Sequence, residues 1–285
     1  MKADSITVAA LPLDIKWAQI DENLAEVDMR LHTMPQKADV VVLPELCSTG
    51  FIQDMSMIED IARESESKTI AAAKRWSKEL DMAIAGTCLA GRDGKYFNRG
   101  FFITPDGTAT FYDKRHLFSL SPEAAVYSPG DAYPPVIRFR GFNFSMVICY
   151  DLRFPVWCRN KGERYDILLV PANWAQARGY AWRHLLIARA IENQAMVVGC
   201  NRSGSDDYGC YDYQAFIFDS KGYEMAPVPA VRSYSPTHPD SAKSENPIEK
   251  GFKPDDFIFA TYTQAEIAKV RSYLPVGKDA DDFNL

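Results

Sequence analysis

The chain has 285 residues, 47% hydrophobic and 25% charged, which is enough length and apolar content to bury a sizeable core. Its formal net charge of −6 argues against nucleic acid as a natural partner. No segment reaches the roughly 18 unbroken apolar residues of a membrane helix. The opening MKADSITVAALPLD, broken by Pro12, Asp14 and Lys16, makes a poor secretory signal. A cytoplasmic protein with no membrane partner is the expectation. The six cysteines form no CxxC and have no histidine cluster beside them, so neither a zinc site nor a disulfide framework is expected.

Strand and helix patterns alternate along the chain. ITVAALPL (6–13) reads as a strand. Ile20, Leu24, Val27 and Leu31 recur at helical spacing and predict an amphipathic helix over 17–34. DVVVLPEL (39–46) is a near-continuous apolar run, the pattern of a strand buried on both faces. Residues 56–80 read as helix and 82–90 as strand, and 99–114 read as a hairpin turning at Pro105, Asp106 and Gly107. Two strands flank Gly141 within 135–151, another covers 165–173, and a helix covers 179–193. Strands follow at 195–201 and 213–225, the latter turning at Lys221 and Gly222, then a strand at 256–263 and a helix at 264–274. This interleaving predicts an α/β fold with helices covering a mixed sheet. No linker divides the chain, so 1–285 reads as one domain. The stretch at about 227–256, rich in proline, serine and charge, reads as a surface insertion that could act as a lid.

Three reactive groups close or follow strands: Glu45 after VVVLP, Lys114 after ATFYD, and Cys149 after SMVI. Strand ends converge at a sheet edge, where a site can form on a rigid scaffold. A free thiol is mostly protonated at neutral pH and needs a base or a cation. Glu45 can take the proton. Lys114 can favour the thiolate and stabilise an oxyanion, with the backbone N–H of Tyr150 as a second donor. The trio therefore suits acyl transfer through a thioester. Taken singly, Cys149 could be packing, Glu45 a solvated loop residue, and Lys114 a surface charge.

LPELCSTGF, YDKRHLF and VICYDLRFPVW resemble the three signature segments of the nitrilase superfamily, the carbon–nitrogen hydrolases. LLVPANWAQAR, ARAIENQA and VVGCNRSG extend the likeness, in order, from about residue 6 to about 275. The resemblance implies a four-layer αββα sandwich, a homodimer or higher homo-oligomer, and cofactor-free, metal-free hydrolysis of a small-molecule amide by a Glu45–Lys114–Cys149 triad. It also implies a second glutamate that positions the lysine and the attacking water. Glu123 in FSLSPEAAVYSPG stands at a fitting place, with an exposed loop acid as the alternative.

Within the superfamily the segments after Cys149 look most like the ω-amidase branch, which hydrolyses 2-oxoglutaramate or 2-oxosuccinamate. Such a substrate needs a cation for its far carboxylate. Arg153 is the first candidate, its alternative being a salt bridge to Asp151 or a neighbour; Arg178 is a weaker candidate, with a surface charge as its alternative. Tyr150, Asn173 and Trp174 are expected to line the pocket, with core packing as the alternative for Trp174. His116 and His184 read as structural, hydrogen-bonded histidines rather than members of a Cys–His pair. Ala215 and Ser220 depart from the serine and proline common in the superfamily, which puts a local turn in doubt. Amidases of the same superfamily acting on deaminated glutathione or N-carbamoyl amines, and a non-catalytic binding protein on the same scaffold, remain the rival readings.

Overall fold

The computed structural model describes residues 4–207, 209–211, 215–225 and 257–281. The polar stretch at about 227–256 lies outside the described residues. The strands are β1 (Ser5–Ala10), β2 (Val40–Val42), β3 (Ala83–Arg92), β4 (Lys95–Ile103), β5 (Ala109–Asp113), β6 (Ile137–Phe139) and β7 (Phe142–Met146). They continue with β8 (Ile167–Ala172), β9 (Met196–Asn201), β10 (Gly204–Asp206), β11 (Gly209–Tyr211), β12 (Phe216–Phe218) and β13 (Ile258–Thr263). The α-helices are α1 (Ile20–His32), α2 (Ile58–Leu80), α3 (Glu123–Val126), α4 (Pro155–Cys158), α5 (Gly179–Asn193), α6 (Gln264–Tyr273) and α7 (Val276–Asp279).

Two main sheets form, in the orders β13-β1-β2-β3-β4-β5 and β12-β9-β8-β7-β6. Each has three parallel strands at its centre, β1-β2-β3 and β7-β8-β9, flanked by antiparallel neighbours. Side-chain alternation along the central strands builds the layers. Val8, Val40, Val42 and Ala85 of the first sheet pack against Phe144, Ile167, Leu169 and Val198 of the second. The intervening residues Ala9, Val41 and Ile84 turn outward onto Leu24, Val27 and Trp76 of α1 and α2. On the far side, Leu168, Val170 and Val197 meet Trp182, Leu186 and Ala190 of α5. The result is the αββα sandwich.

Two strands are shorter than their apolar runs. The ladder of β2 ends with the Leu43 N–H to Ala85 carbonyl bond of 2.8 Å, because Pro44 has no N–H to continue it. Val147 still donates to the Leu169 carbonyl at 3.1 Å, but the next N–H, of Ile148, turns to the Asp151 carboxylate. Glu45 and Cys149 therefore sit just beyond strand ends, on irregular backbone held by specific side chains.

Candidate active site

Cys149 opens a 3₁₀ turn, Cys149–Arg153, with φ +44, a left-handed conformation costly for a residue with a Cβ. Asp151 holds this turn from within. Its carboxylate accepts hydrogen bonds from the Ile148 N–H (3.1 Å), the Tyr112 hydroxyl (2.7 Å) and the His116 N–H (2.8 Å), and lies 2.8 Å from His116 Nδ1. Trp157 Nε1 donates in turn to the Tyr112 hydroxyl at 2.8 Å, and His116 stacks on Phe154 at 3.7 Å between ring centroids. The alternative reading of Arg153, a salt bridge to Asp151, is not formed, because histidine and tyrosine already occupy that carboxylate.

Beside the cysteine lies a buried ionic cluster. Lys114 Nζ donates to Glu45 Oε1 and to Glu123 Oε1, each at 2.8 Å, and all three side chains are at most 1% exposed. The remaining carboxylate valences are filled as well. Asn98 Nδ2 donates to Glu45 Oε1 (2.7 Å), the Asn173 N–H to Glu45 Oε2 (2.8 Å), and the Phe118 N–H to Glu123 Oε2 (2.7 Å). Asn98 is itself oriented by the Thr87 hydroxyl at 2.8 Å, which accepts from the Leu46 N–H at 2.7 Å. This chain of bonds ties the loop after β2 to strands β3 and β4. Lys114 is fixed at its backbone by its N–H to the Asn98 carbonyl and by Gly130, whose N–H donates to the Lys114 carbonyl, both at 2.9 Å. A Cβ at Gly130 would come within 2.1 Å of the Asp113 carbonyl oxygen, so only glycine fits there.

The charges are strongly coupled. Burial alone would lower the Lys114 pKa, but Glu123 and Glu45 overcome it and hold the ammonium well above its ordinary value. Burial, then the charge of Glu45, raises the Cys149 thiol well above its ordinary value, while Lys114 and the Asn173 backbone N–H oppose the shift. Lys114 thus acts in the direction expected from the sequence, lowering the thiol pKa, but burial and Glu45 act more strongly the other way. Burial also raises the pKa of Glu123, with Lys114 opposing and Glu45 adding to the rise.

Cys149, Lys114 and Glu123 face a pocket of about 310 Å³ also lined by Phe51, Phe118, Tyr150, Arg153, Asn173, Trp174, Arg178 and Tyr211. Every residue predicted from sequence for the site is thus brought together, with Glu45 bonded directly behind the lining. The alternatives of a surface lysine at 114 and an exposed acid at 123 are overturned by their burial. Trp174 fulfils both readings, since it packs at 5.3 Å on Trp182 in the core and also lines the pocket. Arg178 is exposed, as read, but borders the pocket as well. His116 and His184 are hydrogen-bonded, to Asp151 and to the Tyr180 carbonyl. Sequence reasoning missed Asn98, which lies within a strand with no local mark of function, and the role of Asp151, for which adjacency to Cys149 was the available signal. It also missed the β10–β11 hairpin that brings Tyr211 to the pocket. Among the described residues no helix is long and apolar enough to cross a membrane.

An αββα sandwich with a cysteine, a lysine and two glutamates gathered at one pocket defines the class. The carbon–nitrogen hydrolase family profile matches residues 7–230, and the chain belongs to this family of hydrolases acting on carbon–nitrogen bonds. It is similar to the ω-amidase YafV of Yersinia enterocolitica, at 41% identity over 219 residues, spanning 76% of this chain and 83% of that protein. It is 32% identical over 225 residues to the 2-oxoglutaramate amidase of Bacillus subtilis, spanning 77% of this chain and 85% of that protein. Among solved structures, a CN-hydrolase superfamily protein from Xanthomonas campestris, carrying an arsenic adduct in its active site, matches with a TM-score of 0.83 at 28% identity. That match covers 99% of this chain and all of the other.

Proposed function

We propose that this hydrolase is an ω-amidase, releasing ammonia from the terminal amide of a small 2-oxo-diacid monoamide such as 2-oxoglutaramate or 2-oxosuccinamate. The observation that carries the reading is the Lys114 ammonium held between Glu45 and Glu123 at 2.8 Å from each, buried beside Cys149. The likeness to an ω-amidase and a 2-oxoglutaramate amidase supports the substrate class.

In this reading Glu45 takes the proton of Cys149 as sulfur attacks the amide carbon. The carbonyl oxygen gains negative charge, stabilised by the Lys114 ammonium and the Tyr150 N–H. Glu45 returns the proton to nitrogen, ammonia leaves, and a thioester remains on Cys149. Glu45 then removes a proton from water as it attacks the thioester carbon and passes that proton to the departing sulfur, which regenerates the thiol and frees the acid, whose own proton is lost to solvent. Glu123 holds Lys114 and helps set the water. Asn173 fits substrate binding, since both polar atoms of its side-chain amide are buried with no hydrogen-bond partner among the described residues. Arg153 receives the far carboxylate, with Tyr150 and Trp174 as apolar walls.

The test is ammonia release by the purified protein from 2-oxoglutaramate, 2-oxosuccinamate, glutamine, deaminated glutathione, an N-carbamoyl amine and a nitrile. The highest kcat/KM is expected for the oxo-amides, and Cys149→Ala is expected to abolish it. A better substrate elsewhere in the panel refutes the ω-amidase reading, and activity surviving in Cys149→Ala refutes the mechanism.

A further inference from the structure

The rim of the pocket carries two guanidinium groups in an unusual state. Arg153 and Arg178 both line the pocket, yet among the described residues neither makes an ion pair or a side-chain hydrogen bond. Each instead lies over an aromatic face, Arg153 at 4.8 Å from the Trp174 ring centroid and Arg178 at 5.0 Å from that of Phe118. The two supports are connected. Trp174 Nε1 donates to the Arg178 carbonyl at 2.9 Å, and Phe118 packs on Tyr150 at 5.1 Å, next to the nucleophile. Stacking fixes the plane of a guanidinium while leaving its N–H edge free to donate.

The charges point the same way. With both carboxylates ionised, Glu45 and Glu123 against Lys114 leave one surplus negative charge in the depth of the site. An anionic substrate would be repelled by that surplus. Arg153 cancels it, and only a second cation makes the pocket attractive to an anion. Arg178 also stands at the N-cap position of α5 without a side-chain capping bond, where a helix dipole disfavours a cation and no acidic residue in the first turn compensates.

Resting on the ω-amidase reading, we propose that Arg178 is a specificity-determining residue that acts with Arg153 as a paired clamp for the 2-oxo-carboxylate end of the substrate. A 2-oxo acid presents a keto oxygen beside its two carboxylate oxygens, more acceptors than a single guanidinium fork satisfies. Arg153 and Arg178 divide them. The enzyme thereby selects amides whose far end is a 2-oxo acid over amides of equal length that end in a methyl group.

The test compares wild type with Arg178→Met, which keeps an apolar stem over Phe118, and Arg178→Lys, which keeps the charge without the planar fork. The readouts are kcat and KM for 2-oxoglutaramate and pentanamide, and inhibition by 2-oxoglutarate, the product. In Arg178→Met the kcat/KM ratio of oxo-amide to pentanamide falls roughly 10-fold, carried by KM, and product inhibition weakens in step, as expected for a lost charge-assisted contact. Arg178→Lys recovers part of both. A ratio and an inhibition constant within about twofold of wild type in Arg178→Met overturn the proposal. A wild type with no preference for 2-oxoglutaramate over pentanamide instead removes the ω-amidase reading itself, whatever Arg178 does.

Discussion

The two ends of the pocket are built on opposite principles. At the inner end every charge is buried and paired: Lys114 lies between Glu45 and Glu123, and each carboxylate oxygen has a donor. At the rim, Arg153 and Arg178 lie on aromatic faces with no counter-charge among the described residues. A saturated network has one arrangement, because moving any member strands a buried charge. Unpaired guanidiniums keep their binding capacity for something that arrives. On the proposed reading, the contrast puts the reaction and the choice of substrate in different parts of one cavity, so that each can be disturbed without the other.

The most severe way to break the inner end is Lys114→Met. It leaves two buried carboxylates facing each other across a site that no longer has a cation. Amide turnover is expected to fall at least about 10³-fold, and unfolding free energy at pH 7 by about 3–5 kcal/mol, the cost of stranding a buried charge. Urea melts at lower pH should recover part of that loss, because protonating one carboxylate relieves the repulsion. Equal stability of variant and wild type at pH 7 would show that the cluster is not the tight unit described.

Asp151→Asn probes the scaffold behind the cysteine. An amide there would turn N–H groups toward donors that now face a carboxylate, loosening the left-handed turn at Cys149. A drop in kcat of about 10²-fold is expected for a nucleophile misplaced by about an ångström, with KM nearly unchanged because the rim is untouched. A selective rise in KM would contradict the division between the two ends.

The pH profile sharpens the comparison further. Burial raises the Glu123 pKa, so on acidification Glu123 takes up its proton at a higher pH than an ordinary carboxylate. The protonated form no longer charges the Lys114 clamp, and kcat should fall on that limb. Glu123→Gln should lower kcat roughly 10-fold and remove this contribution to the acid limb. An unchanged limb would assign it to another group. The mildest change is Tyr112→Phe, which leaves Trp157 Nε1 and Asp151 each short of a partner. It should cost about 1–2 kcal/mol in thermal or chemical unfolding, with little effect on selectivity.

Much of this architecture was legible in the sequence. The alternation of apolar runs gave the order of strands and helices, and Glu45, Lys114, Glu123 and Cys149 could be picked out because they sit in polar turns after such runs. What the pattern could not reveal was how the turns are held. Pro44 ends β2 before Glu45, and the Asp151 carboxylate ends β7 before Cys149 by capturing the Ile148 N–H. Asn98 was invisible because its function depends on a neighbour 53 positions away across two strands. Arg178 ranked behind Arg153 because its segment reads as exposed, and only the fold brings it over Phe118 at the pocket. The sign of the thiol shift was also beyond the sequence, since it turns on how deeply Cys149 is buried relative to Lys114 and Glu45.

The most direct measurement is the intact mass of wild-type protein quenched in acid during steady turnover of 2-oxoglutaramate, followed by peptide mapping. The account predicts a protein heavier by the substrate less ammonia, with the added mass on the peptide containing Cys149. Sustained ammonia release with Cys149 unmodified, or with the adduct on another residue, would contradict it.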